Sequence, residues 1–424
     1  MIPKVLVISN ECFSNTSSNG RTLGNFFIGW PKEKLAQFFL SGKPDLYYCN
    51  NYFQVSDRQA LNSLFHKKNK GGKVRLEEVE DNQAITISST TKKKKRNACT
   101  MLLRNWVWNN DAWKASGYLE WVAEVHPDIV LLQAGDCAFM YHIAVKTADY
   151  ATAKLVIYNS EGYYYKNYDY FQGKGLTHIL YPLFYRQLRQ SLEKAYDAAA
   201  YVIYICDELK AQYDEDFSIP SETVYTGSEI VYEQRERRND IFTTVYCGNL
   251  GLKRHESLIE IANILHEISE NLFVDVYGKA TDDQVLDELN NCKGIRYHGL
   301  IPYDQVKCLL RNSDLLLYVE SFDSFYQEDI KFGFSTKIAD SLASGNCFLL
   351  YAPEHFACYQ YLKKNQAAFV AANQTQLKAV LSSIVKNSDL RSKYKENALR
   401  LAEKNHNIEK NRKKFQNILT KLEE

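Results

Sequence analysis

Much is missing from this chain of 424 residues, and each absence excludes something. No stretch approaches the roughly 18 consecutive apolar residues that a membrane span needs. The ten cysteines include no C-x-x-C pair and no His/Cys cluster at zinc spacing. Cys206, Cys247 and Cys347 instead fall within apolar strand-like runs, where a thiol behaves as a small hydrophobe. No leader-like segment precedes Met1-Ile2-Pro3-Lys4-Val5, so the expectation is a soluble, cytoplasmic protein with reduced thiols. Lys and Arg number 52 against 51 Asp and Glu, a net charge of +1, which gives no global case for nucleic acid; any basic function must be local. The first apolar run, Val5 to Ser9, is not followed by G-x-G-x-x-G, which counts against a dinucleotide oxidoreductase.

What is present is alternation. Strand-like runs and amphipathic helical stretches follow one another along the chain, the pattern of parallel α/β sheets. Val5 to Ser9, Tyr47 to Cys49, Ile129 to Gln133, Leu155 to Tyr158 and Tyr201 to Cys206 read as strands, with a helix expected from Leu23. A charged break, Glu233 to Asp240, interrupts the series. Beyond it, strands are expected at Thr243 to Cys247, Leu272 to Tyr277, Ile295 to Tyr297, Leu315 to Tyr318 and Phe348 to Tyr351. Leu258, Ile261, Leu265 and Ile268 give the first helix of this half one apolar face. The expected architecture is α/β, two Rossmann-like domains (1–238 and 239–405) facing across a cleft, with a C-terminal helix, 406–424, crossing back to the first.

Phe334 to Tyr351 is the most informative stretch. Ser335 or Thr336 suits an N-cap, Gly345 ends the helix, and a buried strand follows. Lys337 and Asp340 share one face at i, i+3. A helix start with free N–H groups and a lysine suits phosphate; a carboxylate one turn on suits a ribose diol. Gly248-Asn249-Leu250-Gly251 marks an earlier strand-to-helix handover, with Lys253 and Arg254 placed to converge on phosphate.

The order of these pieces resembles a GT-B glycosyltransferase of the retaining family-4 type. The likeness spans nearly the whole chain and is strongest from residue 243 to 352. It implies a nucleotide-sugar donor held in the C-terminal domain: Gly248, Asn249, Gly251 and Arg254 at the diphosphate, Ser335, Thr336 and Lys337 at the phosphates or sugar, and Asp340 at the ribose. Tyr297-His298-Gly299-Leu300 falls where backbone groups of such enzymes meet the nucleobase. Retention of anomeric configuration is implied in the same way. Many relatives carry a second acid eight residues before the position of Asp340; here Phe332 stands there, with Glu320, Asp323 and Glu328 as alternatives. Where many have a histidine in the N-terminal half, this chain has Glu161, which could orient or deprotonate an acceptor hydroxyl, or simply be solvated.

Arg254, Lys337 and two helix starts would stabilise a departing nucleoside diphosphate, so no metal or other cofactor is expected beyond the nucleotide-sugar co-substrate. Arg254, Lys337 and Glu161 are the candidate catalytic groups. Asn19 and Gly20, in the polar segment after the first strand, join Glu161 as candidates for the acceptor, an ordinary turn being the alternative. His142 reads as a buried histidine more readily than as a catalyst. Lys92 to Arg96, followed by Trp106, Trp108 and Trp113, would suit an anionic membrane surface at the inner face of the plasma membrane; a solvated loop with core tryptophans is the plainer reading. The acceptor is then a glycan or a lipid-linked sugar of surface polysaccharide or glycoconjugate synthesis. A nucleotide-sugar epimerase of similar fold and a non-catalytic nucleotide-binding scaffold remain the alternatives.

Overall fold

The computed structural model describes residues 1–14, 18–67, 69–74, 96–233 and 242–423. Its contacts divide the chain into two units, Met1–Val224 with Arg412–Glu424, and Tyr225–Asn411. Residue 238, the expected boundary, lies outside the described residues.

The first unit is built on an eight-stranded sheet ordered β4-β3-β2-β1-β5-β6-β7-β8. Its strands are β1 Val5–Glu11, β2 Leu35–Ser41, β3 Asn51–Gln54, β4 Gly72–Lys73, β5 Ile129–Gln133, β6 Lys154–Asn159, β7 Ala199–Tyr204 and β8 Ser221–Thr223. Only β4 runs antiparallel to its neighbour. Parallel strands covered on both faces need continuous apolar runs, and Ile129 to Leu132 are all buried. The one polar side chain deep in β2, Gln37, is satisfied: Oε1 accepts from Phe13 N–H at 2.8 Å and Nε2 donates to Ser9 Oγ at 2.9 Å.

Two expectations are corrected here. Tyr47 to Cys49 form a turn, closed by Tyr48 N–H to the Asp45 carbonyl at 3.3 Å, and β2 and β3 are the strands on either side. The helix expected from Leu23 starts at Ser18, so Asn19 and Gly20 lie within it rather than in a turn. Trp108 and Trp113 are core residues: Trp108 stacks on Phe139 at 4.8 Å, and Trp113 donates Nε1–H to the Trp108 carbonyl. Trp106 is exposed.

The second unit carries a six-stranded sheet ordered β11-β10-β9-β12-β13-β14. Its strands are β9 Thr244–Cys247, β10 Val274–Tyr277, β11 Ile295–Gly299, β12 Leu315–Val319, β13 Cys347–Tyr351 and β14 Phe369–Ala371, all parallel. Helix Arg254–Ile268 buries the expected face, Leu258, Ile261 and Leu265 being fully enclosed. The last helix, Ile408–Glu423, begins in the second unit and ends in the first, where Phe415 stacks on Phe26 at 4.5 Å and Arg412 donates to the Asn25 carbonyl. Among the described residues no helix is long and apolar enough to cross a membrane.

In each sheet the strand order reverses once, between β1 and β5 in the first and between β9 and β12 in the second. Loops leaving the carboxyl ends of such strand pairs diverge and open a crevice, the usual ligand position in open α/β sheets.

Candidate functional site

At the reversal in the second unit, β9 passes through Gly248 to Lys253 into the helix that starts at Arg254. The turn is fixed by its own polar groups. Gly248 N–H donates to the Tyr277 carbonyl at 2.8 Å, Tyr246 Oη donates to the Asn249 carbonyl at 2.7 Å, and Gly251 N–H donates to Asn249 Oδ1 at 2.8 Å. Leu252 and Lys253 both hold positive φ, 60° and 58°, which turns the chain sharply into the helix.

Arg254 reaches to the end of β12. Its Nε and Nη2 lie 2.7 and 2.6 Å from Oε2 of Glu320, whose side chain is 3% exposed. Tyr318 Oη donates to the other oxygen, Oε1, at 2.7 Å, and Ser257 Oγ to the Glu320 carbonyl at 2.9 Å. Of the three acids that sequence left open, Glu320 is the one inside this site. Asp323 caps helix Ser324–Ile330 and pairs with Lys253 at 2.7 Å; Glu328 pairs with Lys331 at 2.7 Å.

Lys337 completes the cluster. Ser335, not Thr336, is the N-cap of helix Thr336–Ala343, accepting Lys337 N–H at 3.3 Å. The Lys337 ammonium lies 5.6 and 6.0 Å from the ring centres of Tyr246 and Tyr318. A Cβ placed on Gly248 would come within 2.3 Å of its Nζ, so only glycine lets the amine sit against this turn. Burial, then the neighbouring Arg254, pull the Lys337 pKa down to about 8. Arg254 is thus paired with the buried Glu320, while the Lys337 amine feels both charges and is enclosed by aromatic rings, a cationic spot that a polyanion would relieve.

Asp340, one turn further, is buried at 6% exposure. Oδ1 accepts from Ser228 Oγ at 2.6 Å and Oδ2 from Tyr303 Oη at 3.1 Å, so two hydroxyls already mark the positions that a diol would take. Neither partner was legible from sequence, because Ser228 lies 112 residues away. His298 stacks on Tyr277 at 4.5 Å and 11° and pairs with Asp275 at 2.7 Å, at the open ends of β10 and β11.

At the reversal in the first unit lies a cavity of about 850 Å³. Asn10 and Glu11 reach it from β1, Gly135 and Asp136 from the loop after β5, and Glu161 from the loop after β6; helix Ala98–Asn109 contributes Arg104 among others. Glu161 therefore stands with a cavity before it, 3.8 Å from the Lys166 amine. Lys166 lies over the rings of Tyr163 and Tyr170, at 4.5 and 5.4 Å. His142 is half-buried in a small recess beside Lys114 and Lys146, and burial first, then those lysines, lower its pKa.

Lys92 to Lys95 lie outside the described residues; Arg96, whose side chain is half exposed, pairs with the buried Asp136. Sequence reasoning missed Arg96, Arg104 and Asp136 as a group, since an isolated Arg or Asp carries no signal until the fold assembles it. Asp214-Glu215-Asp216, an Asp-x-Asp triplet, serves local structure: Asp214 accepts from Ser221 Oγ at 2.9 Å and Asp216 from Tyr165 Oη at 2.7 Å.

No family model and no curated protein matches the sequence. Solved structures match it end to end. HepE from Anabaena in complex with UDP superposes with a TM-score of 0.64 at 9% identity, covering 99% of this chain and 100% of that one. A glycosyltransferase from Rickettsia africae gives 0.59 at 13% identity, covering 99% and 98%. WaaG, a glycosyltransferase involved in lipopolysaccharide biosynthesis, gives 0.56 at 14% identity, covering 98% and 99%. At such identities the likeness is one of fold, and the fold of this chain is GT-B.

Proposed function

We propose that this protein is a glycosyltransferase that moves a sugar from a nucleoside diphosphate donor to an acceptor hydroxyl, with the donor in the second unit and the acceptor in the first. One observation carries the reading: at the switch point of the second sheet the desolvated Lys337 amine lies against Gly248, within the electrostatic reach of Arg254, which is held on the buried Glu320. When the bond between sugar and diphosphate breaks, negative charge develops on the leaving oxygens. Preorganised cations and helix-start N–H groups lower that barrier without reorganising. Asp340 would hold the ribose, displacing one or both hydroxyls now on it, and the base would lie near His298. Anabaena HepE has been solved with UDP and with UDP-glucose, which favours a UDP-sugar as the donor to test first.

Glu161 would orient the acceptor hydroxyl from the cavity in the first unit. The reaction is expected to retain anomeric configuration, to need no metal and to serve surface polysaccharide or glycoconjugate synthesis. Peripheral attachment to an anionic membrane would rest on Lys92 to Lys95. Binding to anionic vesicles that falls steeply with salt supports it; absent or salt-independent binding removes it.

The test is release of UDP from UDP-glucose with and without a panel of saccharide and lipid-linked acceptors, in the presence and absence of EDTA. Acceptor-dependent, EDTA-resistant release is expected. Isomerisation of the donor without any acceptor would instead identify an epimerase, and nucleotide binding with no turnover on any pair a scaffold.

A further inference from the structure

We infer that the cavity of the first unit takes an amphipathic acceptor, a saccharide carried on a hydrocarbon chain, rather than a free sugar; this rests on the transferase reading above. The floor of the cavity is built for hydroxyls. Oδ1 of Asn10 is buried without a hydrogen-bond partner among the described residues, at the carboxyl end of β1. A buried unsatisfied acceptor is costly, and a turn of the Asn10 amide towards the cavity would let a ligand hydroxyl satisfy it. Two guanidiniums stand beside it. Arg104 donates Nε–H to Asp57 at 2.7 Å and Nη1–H to Cys137 Sγ at 2.9 Å, and Arg96 pairs with Asp136. Arg96 Nη2 also lies 3.5 Å from Met101 Sδ, and the other N–H groups of the two guanidiniums have no acceptor among the described residues. Because Asp57 and Asp136 already neutralise both arginines, Lys166 pairs with Glu161, and Glu11 adds negative charge, the ligand these groups fit is an uncharged polyol and not an anion.

Apolar side chains line the cavity alongside these groups: Leu61, Met101, Leu103 and Val107, of which Leu61 and Leu103 are 42% and 59% exposed. The apolar surface does not stop at the cavity. Trp106 follows Leu103 at i+3 on the same helix and is 58% exposed. The short helix Leu176–Ile179 packs against that helix and adds Leu176 and Ile179, 64% and 71% exposed. A run of exposed leucine, isoleucine and tryptophan that starts in a polyol site and leads away from it suits one molecule with a sugar at one end and a hydrocarbon chain at the other.

The experiment uses the full-length protein and two readouts: thermal shift with UDP, and fluorescence titration with hexyl, octyl and decyl β-glucosides below their micelle concentrations, with free glucose for comparison. Saturable binding that tightens roughly two- to fourfold per added methylene is expected. Leu61→Gln with Leu103→Gln should remove the chain-length dependence while leaving the UDP shift unchanged. Asn10→Ala should weaken all glucosides by a similar factor. Binding of glucosides and glucose with equal affinity, or of neither, in protein that still responds to UDP overturns the inference and leaves the donor reading standing. Loss of the UDP response in the wild-type protein overturns the donor reading, and the acceptor inference with it.

Discussion

The hydroxyl of Ser228 lies 2.6 Å from Oδ1 of Asp340, joining the first residues of the second unit to the acid expected to hold a ribose. Asp340→Ala is therefore expected to weaken UDP binding by roughly 1.5–3 kcal/mol, the scale of a hydrogen bond to a charged group. It should also destabilise the fold, because the Ser228 and Tyr303 hydroxyls lose their acceptor. Ser228→Ala separates the effects: it removes a competitor for the carboxylate, so UDP binding should hold or tighten. Calorimetric titration of both variants checks this, and an unchanged dissociation constant in Asp340→Ala removes the ribose assignment.

Glu320 sits between two groups that need it. Glu320→Ala leaves the guanidinium of Arg254 enclosed without its counter-charge, and roughly 3–5 kcal/mol of stability should be lost. Glu320→Gln keeps an acceptor for Tyr318 and Arg254 and should cost less. Urea unfolding of the two variants measures the order.

Lys337 should make donor binding depend on pH. Its ammonium is present below about pH 8 and lost above, so UDP affinity should fall as pH rises through that value. Lys337→Met should bind weakly with no such dependence. The same shift gives an opposite effect on stability. A lysine whose pKa is depressed from 10.5 on folding burdens the folded state below about pH 8, and the burden disappears as pH rises towards 10.5. Lys337→Met should thus raise the melting temperature of the nucleotide-free protein at pH 7, by about 0.5–2 kcal/mol in stability, with the gain vanishing near pH 10.5. Gly248→Ala tests the same amine sterically: the added Cβ meets Nζ at 2.3 Å and the buried Tyr246 hydroxyl at 2.7 Å, so UDP affinity should drop about tenfold or more, with some loss of stability read in the same titration series by thermal melting.

His406 predicts acid sensitivity. It is 1% exposed, with Nδ1 2.9 Å from the Thr226 carbonyl and Nε2 2.9 Å from Tyr361 Oη, and its ring stacks on Phe334. Burial pushes its pKa down to about 4. A histidine held neutral stabilises fully above the unfolded pKa of 6.5, and that contribution is lost as pH falls towards 4. The loss should reach up to about 3 kcal/mol, and His406→Gln should flatten the profile between these values. Chemical denaturation at stepped pH measures both slopes.

Much of the fold was open to reading because local rules wrote it. Parallel strands covered on both faces demand uninterrupted apolar runs, so Ile129 to Gln133 and Leu315 to Tyr318 could be placed almost to the residue. Turn and cap chemistry did the same for Ser335 to Gly345, where the constraint is a few bonds long, and located the turn at Gly248 to Gly251, although the helix after it starts at Arg254, three residues before the expected Ser257. Tyr47 to Cys49 misled because a turn that buries Tyr48 and Cys49 looks like a strand when only hydropathy is read.

What the amino-acid order determined by itself was thus the α/β alternation and the places where strands hand over to helices with glycine, lysine and arginine. Tertiary structure alone decided which charges meet. Arg254 finds Glu320 across 66 residues, Asp340 finds Ser228 across 112, and Arg96 finds Asp136 across 40. Such pairs depend on which strands become neighbours in the sheet, and strand order is a property of the packed whole that no local window contains.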